Sequence, residues 1–227
     1  MFLVICSAIL CFSFVSSKDD HRKSGSVLVL HQHGGNVYAL LVRDRWKRSW
    51  TLPGGYAHVG EHRNHTAARE LKEETNGALR IDPKDLNFGP GWDKPFHNYI
   101  HVPKGRHRNI TFVAATKNFA PGELRKIAER MRDAPKRNGY RETNGIAFVN
   151  VQQLIYAGMW PQMKNVHSSL SWTFDYKHPK AQLHKKDNGW LKLSRVLKNS
   201  LMSHLAEFQD RIARAAWSPP LVHHHYV

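Results

Sequence analysis

Between Leu52 and Gly77 the chain reads LPGGYAHVGEHRNHTAARELKEETNG, a proline-glycine loop running into a stretch of strong helix formers. Pro53 fixes one backbone torsion, while Gly54 and Gly55 permit torsions closed to other residues and let backbone carbonyls approach a ligand closely. From Ala67 to Glu74 the composition predicts a helix, and Asn76-Gly77 suits its end. On that helix Glu70, Glu73 and Glu74 stand three and four positions apart and share one face. Ala67, Ala68, Leu71 and Thr75 fall on another, a small-residue side that can pack on a sheet. The three carboxylates are therefore expected to point outward together.

Like charges so spaced repel by about 0.2 to 0.5 kcal/mol per pair on a solvated helix. A hard divalent cation relieves that repulsion. Mg2+ takes oxygen ligands in a near-octahedral shell and commonly combines one or two carboxylates with substrate phosphate oxygens and water. The rigid fork of Arg69, beside the cluster, can orient one carboxylate. The plain alternative for an isolated acidic helix face is a solvated surface that keeps the chain soluble.

Gly55, Glu61 and Arg69-Glu70-Leu71-x-Glu73-Glu74, in this register behind an LPGG loop, resemble the Nudix box, the signature of hydrolases of nucleoside diphosphates linked to another moiety. The resemblance implies an α/β fold, a Nudix-like αβα sandwich around a central mixed β-sheet, in which the box forms loop, helix and loop. It implies Glu70 and Glu74 as principal metal ligands, Glu73 as a further ligand or water-orienting group, and Gly55 as a carbonyl contributor. Mg2+ or Mn2+ is the implied cofactor. The motif's end departs from the family, with Asn76 where a glycine is usual and Gly77 where an aliphatic residue is usual. Asn tolerates the left-handed conformation, so the turn can survive with its glycine displaced.

Phe2 to Val15 is a mostly apolar run followed by Ser16-Ser17 and the charged Lys18-Asp19-Asp20. Its length suits a signal-peptide core and falls short of a membrane span. Residues 1–17 are therefore expected to be cleaved, leaving a secreted or lumenal protein with no membrane span. If the run is retained as a structural element, the protein is intracellular. Both cysteines, Cys6 and Cys11, lie inside that run, so a mature chain would have no disulfide and no thiolate site. Residues 18–217 suffice for one domain, with 218–227 as a tail. Two sequons, at Asn64 and Asn109, become glycosylation points in a secreted chain.

Lys and Arg number 34 against 18 Asp and Glu, a formal charge of +16. That excess calls for an anionic partner: a phosphorylated substrate, RNA, or an acidic surface. A homodimer is compatible with the sequence but nothing in it specifies one.

Ser26–His31 and Val37–Val42 are expected as paired strands leading through a basic aromatic segment to the glycine loop. In that segment Arg43, Arg45 and Lys47 are candidate phosphate ligands and Trp46 a candidate stacking platform. Trp50 is expected to pack beneath the loop. Further strands are expected at 79–81, 96–102, 110–116 and 145–151, and a helix at Pro121–Met131. The basic loop between the 96–102 and 110–116 strands offers Arg106 and Arg108 to phosphates, or is a plain solvated tip. Glu142 resembles the glutamate that in Nudix-like chains precedes a strand and approaches the metals, a candidate general base or additional ligand. It is otherwise a surface residue pairing with Arg141 or Lys136. Residues 157–188 read as a basic aromatic insertion or an irregular cover, and Trp190 to Trp217 carry a helical apolar period that predicts a long C-terminal helix.

These expectations combine into a divalent-metal-dependent hydrolase of phosphoanhydride bonds. Its substrate would be a nucleoside diphosphate derivative, capped RNA or an inositol pyrophosphate. The rival reading is a secreted basic protein that binds RNA or another polyanion without significant catalysis.

Overall fold

The computed structural model describes residues 23–33, 35–86, 96–102, 105–116, 121–133, 142–168, 170–174, 183–187, 189–203, 206, 209 and 221–224. The N-terminal run and residues 134–141 lie outside the described residues.

Strict alternation builds the centre. Strands β1 (Lys23–His33), β2 (Asn36–Asp44) and β8 (Thr143–Asn150) are neighbours in one mixed sheet, each rich in Val, Leu, Ile or Phe. Successive side chains go to opposite faces. Val27, Val29, Leu40, Ile146 and Phe148 join one buried cluster, while Leu28, Leu30, Leu41, Ala147 and Val149 join the other. A strand apolar on both faces needs a cover on each side. On the first face the cover is α1 (Arg63–Glu74) with α2 (Pro121–Asp133), through Ala67, Leu71, Leu124, Ile127 and Met131. On the second it is α3 (Val151–Met159) and α4 (Arg195–Ser203), through Leu154, Ile155, Leu197 and Leu201. Each such side chain, fully buried, contributes about 1.5 to 3 kcal/mol relative to exposure. The result is the expected αβα sandwich.

The other strands complete it. β3 (Trp50–Thr51) pairs with β2, and β4 (Gly54–Tyr56) pairs with the start of β1. β5 (Leu79–Arg80) follows α1, and β6 (Phe96–Val102) forms an antiparallel pair with β7 (Gly105–Thr116), which in turn runs parallel to β1. β10 (Leu170–Thr173) pairs with β8 and with β11 (His184–Asp187), whereas β9 (Asn165–His167) and β12 (Trp190–Lys192) make a separate two-stranded ribbon.

Four expectations are corrected. The predicted helix from Trp190 begins as strand β12, and the described helix is Arg195–Ser203; its remainder to Trp217 lies outside the described residues apart from 206 and 209. Ribbon pairing with β9 takes Trp190 to Lys192 despite their place in a helical period, and Leu191 reaches the core from the strand. The tail contains β13 (Leu221–His224), parallel to β7 and antiparallel to β5. The 157–188 stretch is not a separate insertion where it is described: β10 belongs to the central sheet, and Trp172 and Phe174 are core residues. Finally, Arg106 and Arg108 lie within strand β7 opposite His101 and Tyr99, not at a loop tip, and their side chains lie outside what is described.

Candidate active site

The glycine loop is held as a strand. Ser24, Gly25 and Ser26 of β1 face Tyr56, Gly55 and Gly54 of β4, and the Val27 N–H donates to the Pro53 carbonyl at 2.9 Å. The fit leaves no room for side chains at these glycines. A methyl on Gly25 would strike the Arg63 carbonyl, one on Gly54 would strike Ser26, and one on Gly55 would strike the Glu70 carboxylate. Loop, strand and helix thus converge where the Glu70 side chain ends.

Helix α1 starts without a capping side chain on His62. Glu61, one residue earlier, instead ties the preceding turn to the helix, accepting from the His58 N–H at 2.9 Å and the Thr66 hydroxyl at 3.0 Å. The helix ends at Thr75, whose hydroxyl donates to the Leu71 carbonyl at 2.6 Å. Asn76 then takes φ of 53° and Gly77 74°. The expected left-handed turn survives with both residues in it, and the Asn76 amide adds a bond to the Arg130 carbonyl of α2 at 2.8 Å.

The glutamates do not point outward together. Glu70 is 8% exposed and lies against the glycine loop. Glu73 and Glu74 are half-buried, and Glu74 Oε2 accepts from the Gly54 N–H at 2.9 Å. Arg69 is the organiser. Its Nε donates to Glu61 Oε1 at 2.9 Å, Nη1 to Glu70 Oε1 at 2.7 Å and Glu73 Oε2 at 2.9 Å, and Nη2 to the Tyr56 carbonyl at 2.8 Å and to Glu61 Oε2 at 3.1 Å. One guanidinium therefore gathers three carboxylates and the strand that carries Gly55.

Glu142 is delivered by backbone bonds on both sides. Its carbonyl accepts from the Arg45 N–H at 2.8 Å, and the hydroxyl of the next residue, Thr143, donates to the Glu74 carbonyl. Glu142 itself is exposed and lines, with Glu74 and Gly55, a pocket of about 500 Å³. Ser24, Ser26 and Thr111 lie in its lining, the last two hydroxyls 2.7 Å apart, together with Trp46, Lys47 and Tyr56. Sequence reasoning missed these hydroxyls and Asp44. Their signal was faint, a polar residue at every other place where β1 begins.

Charge balance sets the chemistry. Burial is the main force pushing Glu70 up to about 7; Arg69 resists and the Glu73 and Glu142 charges add to the rise. Burial likewise drives Glu74 well above the usual carboxylate range, with the Glu70 charge next and the Gly54 N–H opposing. Burial works against the charge of Glu61 too, but bonds from Arg69, the His58 N–H and Thr66 outweigh it and hold that carboxyl below its ordinary range. Arg69, despite burial, is raised by Glu61 and Glu70. Thus Glu61 is neutralised within the fold, and Glu70, Glu74 and Glu142 press against one another.

A crowded all-oxygen donor set with excess negative charge, beside a loop where even a methyl is excluded, fits a hard divalent cation in kind. Among the described residues no three such side chains already stand in a metal-holding arrangement, since Arg69 draws Glu70 and Glu73 toward itself.

The basic segment divides instead of lining one site. Trp46 and Lys47 border the acid pocket, but Arg43 and Arg45 border a second pocket with Arg48. Trp50 is buried, in the cluster covered by α3 and α4. No helix among the described residues is long and apolar enough to cross a membrane.

Residues 20–170 match the family model described as NUDIX domain. The chain is 28% identical over 141 residues to a protein of Bacillus subtilis (strain 168) provisionally named ADP-ribose pyrophosphatase YjhB, a match spanning 62% of this chain and 56% of the relative. Among solved structures, the C. elegans Ap4A hydrolase is 17% identical, with 62% of this chain and 89% of that one covered and a TM-score of 0.39. A MutT/nudix family protein from Enterococcus faecalis is 16% identical, with 81% and 62% covered and a TM-score of 0.41.

Proposed function

The chain belongs to the Nudix family, and from that premise we propose that it is a pyrophosphohydrolase, cutting a phosphoanhydride bond in a nucleotide-linked substrate by attack of water on phosphorus. The observation that carries this reading is the meeting of Glu70 and Glu74 at the Gly54-Gly55 strand, with Glu74 and Glu142 lining the pocket beside it.

Glu70, Glu73 and Glu74 with the Gly55 carbonyl would hold Mg2+ or Mn2+. The bound ion would offset phosphate charge and make water a better nucleophile. The chain's own residues do the rest. Arg69 compensates the charge of Glu70 and Glu73, which would turn from it to receive a divalent cation. Glu142, exposed within the pocket, takes the proton of the attacking water as general base. Trp46 and Tyr56 supply exposed aromatic surface for a base, and Lys47 meets phosphate oxygens.

A panel of ADP-ribose, a dinucleoside polyphosphate, capped RNA and an inositol pyrophosphate, each with Mg2+ and with Mn2+, tests the reading and selects the substrate. Hydrolysis of at least one compound, lost in Glu74→Gln, is expected. Hydrolysis of none, with polyanion binding retained, would establish the non-catalytic binding reading instead. Export through residues 1–17 is part of the proposal, and N-terminal sequencing of native protein tests it, since an intact Met1 contradicts cleavage.

A further inference from the structure

Alternation along β1 puts Ser24 and Ser26 on the same sheet face as Leu28 and Leu30, the face that α4 covers. Thr111 of β7 stands beside Ser26 in the parallel register, and their hydroxyls are 2.7 Å apart. Gly54 of β4 flanks Ser26 on the other side, where a methyl would strike the Ser26 side chain. The apolar face of β1 therefore gives way, at the strand's N-terminal end, to a low floor of hydroxyls. Ser24, Ser26, Thr111 and Gly54 all line the pocket of about 500 Å³ that Glu74 and Glu142 also line.

A wall over that floor comes from α4. The helix start is pinned to β3: Leu193 bridges Trp50, and the Ser194 N–H donates to the Trp50 carbonyl at 2.8 Å. Ser194 Oγ accepts from the Leu197 N–H at 3.1 Å and closes the first turn. Val196, Leu197, Ser200 and Leu201 then recur at helical spacing on one side of α4, and all of them line the pocket. Leu197 and Leu201 are buried in the cluster that holds Leu28, whereas Val196 is 40% exposed. The Ser200 hydroxyl donates to the Val196 carbonyl at 3.0 Å, so the side of α4 turned to the pocket is largely aliphatic. This helix lies beyond residues 20–170, so the wall is built from sequence that the family match does not include.

We propose that the space between floor and wall is a slot for the planar base of a nucleoside-linked substrate, with α4 as the element that grips the base. A base has apolar faces and a polar edge. Its face sets against the aliphatic side of α4, and its edge meets hydroxyls that both donate and accept. Trp46 and Tyr56, in the same lining, add aromatic surface for stacking. An inositol ring phosphorylated at every carbon has no apolar face to offer, and the carboxylates of Asp44, Glu74 and Glu142 in the lining oppose its charge. The substrate class narrows to pyrophosphates that carry a nucleoside. The bond that is cut rests on the hydrolase reading, whereas binding of the base does not.

Calorimetric titration of the full chain with AMP, GMP, CMP and UMP, each against ribose 5-phosphate and with divalent ions chelated, isolates the contribution of the base. At least one nucleotide is expected to bind about tenfold or more tighter than ribose 5-phosphate, as a stacked base provides. Val196→Trp, which fills the slot from a partly exposed position, should erase that advantage and leave ribose 5-phosphate binding unchanged. Met202→Trp, the same added bulk at an exposed position of α4 outside the lining, should leave the advantage intact. Ribose 5-phosphate bound as tightly as every nucleotide by wild type overturns the proposal without recourse to a variant. An advantage that survives Val196→Trp, or falls equally in Met202→Trp, also overturns it. If no compound in the hydrolysis panel is cut while the Val196-dependent binding stands, the hydrolase reading falls and the slot remains. If an inositol pyrophosphate is cut and no base is bound, the slot falls and the hydrolase reading remains.

Discussion

The two pockets on either side of Trp46 are charged in opposite senses and are assembled by opposite means. On the acid side the fold supplies its own counter-ion: Arg69 binds Glu61, Glu70, Glu73 and the backbone of the glycine strand. The carboxylates are thus gathered around the guanidinium and not around a cation before any ligand enters. On the basic side the described lining gives Arg43 a neutral amide, that of Asn144.

The sharpest way to break this contrast is Glu74→Gln, which removes a carboxylate held by the Gly54 N–H. It should lower kcat by roughly 10² to 10³, about 2.7 to 4 kcal/mol of transition-state stabilisation, as for loss of one preorganised electrostatic group. Steady-state kinetics on the best panel substrate would show it, and a fall below threefold would remove Glu74 from the chemistry. Arg69→Met comes next. Stranding three part-buried carboxylates should cost about 3 kcal/mol of stability by urea unfolding. Saturating Mg2+ should restore part of that loss, because a second cation can take over the role. If Mg2+ restores nothing, the internal counter-ion account is wrong.

Gly55→Ala is subtler. The added methyl has to displace the Glu70 carboxylate, which is a side-chain terminus and can shift once its Arg69 bond is given up. A stability loss of about 1 to 3 kcal/mol is expected from the overpacking, with weaker metal binding by calorimetry. The smallest effect is at the divider. Trp46 is 76% exposed, so Trp46→Ala should change stability by under about 0.5 kcal/mol while raising KM. A KM unchanged in that variant would show that substrate passes neither side of the indole.

How much of this was visible in the chain depends on the reach of the forces involved. The box was legible because its structure is local: a glycine loop, a helix and their junction follow from neighbouring residues, and the αβα sandwich was implied by the resemblance of that box to the Nudix signature. The inward turn of Glu70 was not, since a helical projection ranks faces without knowing that β4 will lie against that one. Likewise, the split of Arg43 and Arg45 from Lys47 depends on an irregular pairing between residues about a hundred positions apart. The C-terminal apolar period misled for a related reason: Leu191, Leu193, Leu197 and Leu201 all reach the same core cluster, although a strand ends and a helix begins among them.

That last packing has a practical corollary. The Ser194 N–H donates to the Trp50 carbonyl, and the residues from Leu191 to Leu201 roof the face opposite the box helix. A recombinant fragment ending after β10 would strip that roof while leaving the signature motif whole. It would keep every carboxylate named above yet present Leu28, Leu41 and Trp50 to water, and would be expected to precipitate before it could be assayed.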